Sequence, residues 1–140
     1  MELKLDAAQT QALIRGGLAA ASRVIVDHVE PGLARIRLAY SERMLRPGGV
    51  ISGPTLFAAA DTAMFALVLS HLGPELMAVT ANVNMNFLDK AAPGDVLGEA
   101  RLLKLGRRLV VMEVRLYTSA DPARVVAHVT GSYARPAAQR

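Results

Sequence analysis

From position 54 to position 72 the chain carries one charged residue, Asp61, in a run that is otherwise apolar or small and that stops at Gly73-Pro74. Apolar residues fall on every side of a helical projection rather than on one stripe. The pattern therefore predicts a long helix buried all round, with Pro54 at its first helical position and a sheet wrapped on it. Elsewhere the period is two. Segments 24–29 and 33–40 flank the turn signal Glu30-Pro31-Gly32, and in the second of them Ala34, Ile36, Leu38 and Tyr40 alternate with Arg35 and Arg37, which predicts a hairpin. Four further strand-like runs follow the central helix, at 78–88, 96–105, 108–118 and 124–135, the middle two joined through Gly106-Arg107.

Ahead of the first hairpin, Ala7, Leu13, Ile14, Leu18 and Ala21 recur at helical spacing behind Asp6, a suitable N-cap. This first helix stops near Gly16-Gly17 or runs on to Ser22. A central helix followed by a meander of antiparallel strands, without βαβ alternation, places the chain in the α+β class as one domain over 1–140. Its N-terminal helix lies within 1–23, and 136–140 reads as a frayed tail.

The chain has 140 residues, of which 52% are hydrophobic, enough for a single core. Its uncharged stretches are shorter than the roughly 18 to 20 residues a membrane-spanning helix requires, and the amino terminus mixes charges with apolar residues, so the expectation is a cytoplasmic protein without a membrane segment. Zero cysteines exclude a disulfide, a thiolate metal site and a cysteine nucleophile. The net charge of +4 is spread along the chain and aromatic residues are only 4%, too few for base stacking, so nucleic acid is not an expected partner. The tightest basic pair, Arg107-Arg108, is either a solvated hairpin tip or a contact for phosphate oxygens.

Two polar features interrupt the apolar pattern. Asp61 is one, because an ionised carboxylate in an apolar helix must be paired or hydrogen-bonded if it is not on an exposed stripe. The other lies in 78–88, where strict alternation puts Thr80, Asn82, Asn84 and Asn86 on one face and Val79, Ala81, Val83, Met85 and Phe87 on the other. Asparagine is disfavoured in strands, so three in register fit either a solvated face or hydrogen bonding at a subunit interface or a site, and Asn82 is a candidate substrate contact. Gly49-Val50-Ile51-Ser52-Gly53 is off the nucleophile-elbow spacing and lacks a clear preceding strand. His28, His71 and His128 are dispersed, without metal-ligand spacing.

The ordered set Ser52-Gly53-Pro54, Leu56, Ala59-Ala60-Asp61-Thr62-Ala63, Val79-Thr80, Asn84-Met85-Asn86-Phe87-Leu88, Pro93-Gly94-Asp95, Gly106-Arg107-Arg108 and Val126-Ala127-His128-Val129-Thr130-Gly131-Ser132-Tyr133 resembles the PaaI-type hotdog-fold acyl-CoA thioesterases over about 45–135. In that family a His-Gly-Gly segment opens the central helix and an Asp follows nine residues after the His; Ser52 and Asp61 keep this spacing. The resemblance implies a hotdog fold, Asp61 as general base or nucleophile, Gly53 as the backbone N–H donor to the thioester oxygen, and Thr80 as a hydroxyl that helps to hold the attacking water. It implies no metal or redox cofactor. The chain departs from the pattern at Ser52, where the family has His, at Pro54, where it has a second Gly, and at Arg46, where related enzymes often have Asn. Pro54 has no N–H, which leaves Gly53 as the chief oxyanion donor; Ser52 either substitutes for the His or caps the helix.

Gly53 and Asp61 are eight residues apart, hence about 12 Å along one helix, too far for one thioester carbon to meet both. The site is then expected to be shared across a two-fold homodimer, itself paired into a dimer of dimers. Phe65 and the flexible Met64 are candidate walls for an uncharged medium-chain or aryl acyl group, and Arg46, Arg107 and Arg108 are candidates for the CoA phosphates. The alternatives are a non-catalytic acyl-CoA-binding sensor or scaffold, and a hydratase of the same fold, which would want a His where Ser52 stands.

Overall fold

The sheet has one covered edge and one bare edge, and this asymmetry organises the molecule. A computed structural model describes residues 2–18, 21 and 23–136. Helix α1 (Ala7–Gly17) begins with a reciprocal capping box, in which Asp6 Oδ1 accepts from the Gln9 N–H at 2.8 Å and Gln9 Oε1 accepts from the Asp6 N–H at 3.0 Å. It ends at Gly17, because the C-cap Leu18 is extended at φ −127° and ψ 106°, so the helix does not run on towards Ser22, itself outside the described residues. Strands β1 (Val24–Glu30) and β2 (Leu33–Leu38) form the first hairpin, with Gly32 in the left-handed region at φ 83°. Side chains of α1 satisfy the outward backbone groups of β1: Gln11 Oε1 accepts from the Val26 N–H at 2.9 Å and Arg15 Nε donates to the Val24 carbonyl at 2.8 Å. That edge is thereby closed to further strands.

A short 3-10 turn (Glu42–Met44) and a two-residue ribbon, β3 (Leu45–Arg46) and β4 (Val50–Ile51), lead into helix α2 (Gly53–Leu72). After it come β5 (Val79–Phe87), β6 (Val96–Leu105), β7 (Leu109–Thr118) and β8 (Ala127–Ala134). The six-stranded antiparallel sheet has the order β1-β2-β6-β7-β8-β5 and curls around α2 in a hotdog arrangement. Strand ends depart from the periodicity where the neighbouring strand offers nothing to pair with. β2 stops at Leu38, because Leu38 already faces Val96, the first residue of β6, and Tyr40 instead donates its N–H to Asp95 Oδ1 at 2.8 Å. β8 starts only at Ala127, since the preceding residues turn through Asp121, whose carbonyl accepts from the Arg124 N–H.

α2 is long and apolar enough to cross a membrane by length and composition, yet in this fold most of it is buried by the sheet. Its small residues let the backbones approach closely. A Cβ on Gly98 of β6 would lie 3.2 Å from both the Ala59 carbonyl and Ala63 Cβ, and a Cβ on Gly131 of β8 would lie 2.7 Å from Met64 Sδ and 2.9 Å from the Asn82 carbonyl. Met64 is thus wholly enclosed by helix and sheet. Pro54 occupies the second helical position rather than the first, Gly53 preceding it behind the N-cap Ser52.

His71, in the last turn of α2, is buried and fully bonded. Its Nε2 accepts from the Gly32 N–H at 2.9 Å, which puts the ring proton on Nδ1, where it donates to the Leu67 carbonyl at 2.8 Å. The ring therefore joins the helix to the first hairpin in its neutral form, and burial lowers its pKa below 6.5.

Two outcomes follow from this packing. Because the unfolded chain takes up a proton on His71 at a higher pH than the folded one does, stability should fall as pH drops below about 6.5 and level off once the folded ring protonates. Urea unfolding across pH 5 to 8 checks this, and His71→Gln should flatten that part of the profile. Gly131→Ala should lower stability by about 1–3 kcal/mol, read from the denaturant midpoint, because Met64 and the β5 backbone leave no room for a methyl group.

Candidate active site

The start of α2 is shaped by Ser52. Its Oγ accepts from the Thr55 N–H at 3.3 Å and lies 2.9 Å from Thr55 Oγ1, so the hydroxyl caps the helix. Its carbonyl accepts from the Leu56 N–H. Among the described residues no acceptor takes the Gly53 N–H, and Pro54 has none to give. Gly53 consequently presents a free amide at the positive end of the helix dipole. It faces a shallow cleft of about 290 Å³ with Arg46, Leu56, Phe87, Asp89 and Lys90 along its sides.

Eight residues further on, Asp61 meets β5 and β8. Thr80 Oγ1 donates to Asp61 Oδ1 at 2.8 Å, and Tyr133 Oη donates to the same oxygen at 2.7 Å and also lies 3.1 Å from the Asp61 carbonyl. Oδ2 has no protein partner among the described residues, and no buried side-chain oxygen there is left unpaired, so Oδ2 is open to the cleft beside it. That cleft, also about 290 Å³, is walled by Leu18, Phe65, Leu76, Ala78, Val79, Thr80 and Tyr133, with no cation among them. Burial, followed by the neighbouring Asp61 charge, pushes the Tyr133 phenol far above its ordinary value of 10.0, so its O–H remains a donor at any working pH.

Thr80 reaches Asp61 through an irregularity that strict alternation hides. Thr80 pairs with Tyr133 and Asn82 with Ser132, leaving Ala81 as an extra residue, a β-bulge that reverses the phase of the strand. Thr80 therefore shares the helix-facing side with Tyr133, whereas Asn82, Asn84 and Asn86 point to the outer face, so the expectation of one common face for all four is corrected. The same reversal brings Val83 and Met85 against the core. Asn82 is exposed and lines neither cleft, and the enclosed Met64 lines neither. Arg107 and Arg108 are exposed at the β6–β7 turn, where the Arg108 carbonyl accepts from the Arg135 N–H at 2.7 Å, two residues beyond Tyr133.

Within one chain, then, Asp61, Thr80 and Phe65 come together, as do Gly53 and Arg46. The two groups lie in separate clefts that share no residue. Tyr133, Leu76, Leu18 and Lys90 carried no role in the sequence reading. The signal for Tyr133 was available: it keeps the inward phase of Val129 and Gly131 along β8. The histidines find partners elsewhere. His28 contacts Glu30 at 2.9 Å, and His128, on the outer face, contacts Glu113 at 3.3 Å.

A family profile described as the thioesterase superfamily matches residues 48–125. An assigned esterase of Saccharolobus solfataricus is 32% identical over 91 residues, a match that covers 65% of this chain and 60% of that protein, so it spans less than two thirds of the relative's length. An assigned thioesterase from Silicibacter sp. TM1040 superposes with a TM-score of 0.88 at 40% identity, covering 97% of this chain and 95% of that one. The phenylacetic acid degradation protein PaaI of Thermus thermophilus, solved as a mutant, superposes with a TM-score of 0.69 at 29% identity over 84% of this chain and 96% of that one.

Proposed function

The chain belongs to the thioesterase superfamily as a PaaI-like hotdog thioester hydrolase, and from that premise we propose that it hydrolyses an uncharged medium-chain or aryl acyl-CoA to the free acid and CoA. The observation that carries this reading is the Asp61 carboxylate, with one oxygen held by two hydroxyl donors and the other open to an apolar cleft. As general base, Asp61 takes a proton from water while the water oxygen bonds to the thioester carbon. As nucleophile, it bonds to that carbon itself, and water then opens the anhydride. In either route the carbonyl oxygen becomes an oxyanion, which the free Gly53 N–H accommodates, and the C–S bond breaks to release the CoA thiol.

Because Asp61 and Gly53 open into different clefts, the reaction requires two chains, and β5 supplies the means of joining them. It is the uncovered edge of the sheet, with Val79 and Phe87 at its ends 59% and 58% exposed and the flanking Met77 and Leu88 77% and 59% exposed. Phe87, at one end of β5, lines the Gly53 cleft; Val79 and Thr80, at the other end, line the Asp61 cleft. Antiparallel pairing of β5 with its copy about a two-fold axis sets one end against the other, so that the Asp61 cleft of one protomer meets the Gly53 cleft of its partner. The pairing also continues the sheet. The outward Asn82, Asn84 and Asn86 then offer a polar face on which two such dimers can stack.

No cation among the described residues lines the Asp61 cleft, and with its Leu18, Phe65, Leu76 and Val79 walls this favours an acyl group without charge. Arg46 and Lys90 beside Gly53, with Arg107 and Arg108 at the hairpin, supply cations for the CoA phosphates at the rim of the shared site.

Release of free thiol from acetyl-, hexanoyl-, decanoyl-, phenylacetyl-, benzoyl- and succinyl-CoA tests the activity. Turnover should favour the uncharged medium-chain or aryl esters over succinyl-CoA, and Asp61→Asn should lower it by at least about 100-fold in a folded protein. Tight binding of acyl-CoA without turnover would instead make the chain a sensor. Light scattering at micromolar concentration should give the mass of a dimer or a tetramer, and a stable, active monomer would overturn the shared site.

A further inference from the structure

We infer that Tyr133 is a positioning residue for the hydrolysis: its hydroxyl, acting with that of Thr80 on Asp61 Oδ1, holds the carboxylate so that Oδ2 alone meets the substrate or the water. The inference rests on the thioesterase reading and adds to it a residue from the opposite end of the chain.

The geometry is that of a clamp. A carboxylate on a helix, left to itself, turns about two side-chain bonds and exchanges its oxygens. Here two O–H donors, 2.7 and 2.8 Å away, converge on one oxygen from two adjacent strands. Each such donor to an ionised acceptor makes a hydrogen bond roughly twice as strong as a neutral one. Tyr133 is the stiffer of the two. It is buried, its ring stacks on Phe65 of the same helix as Asp61 with centroids 5.8 Å apart and planes 16° from parallel, and β8 is laddered on both sides, to β5 and to β7. The 3.1 Å approach of the same hydroxyl to the Asp61 carbonyl sets the side chain against its own backbone as well. Thr80, by contrast, lies on the exposed edge strand and depends on the Ala81 bulge for its direction. Both donors are in place within one chain, and Tyr133 is the one fixed from the core.

This arrangement differs from one in which the phenol itself touches substrate. Its hydrogen is directed to Asp61, and its pKa, raised by burial and by the Asp61 charge, leaves it no role as an acid or base near neutrality. Tyr133 acts through the carboxylate, so its loss should change how well Asp61 works rather than how tightly acyl-CoA is held.

Tyr133→Phe keeps the ring and its stack on Phe65 and removes only the hydroxyl. Measured on the best substrate from the acyl-CoA panel, this variant should lose about 10-fold in kcat with KM within about two-fold, the size expected for one hydrogen bond to a charged group. The damage should fall on kcat and leave KM in place, because the hydroxyl acts on the orientation of Asp61 and not on acyl-CoA. Combined with Thr80→Val, the loss should exceed either single loss. A folded Tyr133→Phe protein with wild-type kcat overturns the inference, as does a loss carried by KM, or one that vanishes once activity is scaled to the folded fraction. Asp61→Asn is run beside it. If that variant is inactive while Tyr133→Phe is unchanged, the thioesterase reading stands and the clamp is rejected; if Asp61→Asn turns over like wild type, the reading beneath the inference is lost.

Discussion

Burial of α2 is the constraint on which the rest depends. A helix whose sides are nearly all apolar cannot rest one face on a core and show the other to water, so the sheet must curl round it. The close approach this requires is provided by Ala59, Ala63 and Gly98 on one side and by Gly131 on the other. Because the helix has so little polar surface, its single charge has few places to go. Asp61 emerges where the last strands, β8 and β5, reach the helix, and there the fold supplies two hydroxyls to receive it.

The proposed chemistry is thus built at the margin of the core. The helix carries the two groups assigned to the proposed hydrolysis, a free amide at its start and a carboxylate in its third turn, and its own rigidity keeps them about 12 Å apart. That separation is a disadvantage to a single chain and a specification for two. The covered edge at β1 and the bare edge at β5 belong to the same logic, since α1 neutralises the β1 edge and leaves open the edge whose two ends line the two clefts. In the proposed dimer, assembly and catalysis would be one event, with the strand that joins the protomers also closing the site.

The polar network at the other end of α2 has a contrasting character. His71 sits at a helix end amid hydrogen bonds, as a catalytic histidine does, but both of its nitrogens are engaged by backbone groups of Leu67 and Gly32. Its task is to hold the first hairpin on the helix.

Much of this was written in local pattern. The all-apolar run around Asp61 predicted the central helix and its burial, and the two-residue period predicted the strands and the α+β class, because hydrophobic periodicity reports which faces meet water regardless of what covers them. The nine-residue spacing from Ser52 to Asp61 put the helix cap and the carboxylate on one helix, since spacing along one helix is a local property. What local pattern did not carry was phase and pairing. The Ala81 bulge turns Thr80 inward and the asparagines outward, and it exists only because β8 pairs with β5 in a register that leaves one residue over. Met64 reads as a flexible wall until Gly131, 67 positions later, is found against it. Tyr133 and Asp61 are 72 residues apart, and Leu18 and Leu76 enter the same cleft from either side of α2. Side chains so distant in sequence are brought together by strand order and by the curl of the sheet about the helix. Those are properties of the whole fold, so only the tertiary structure could decide how the carboxylate is held and which side chains surround it.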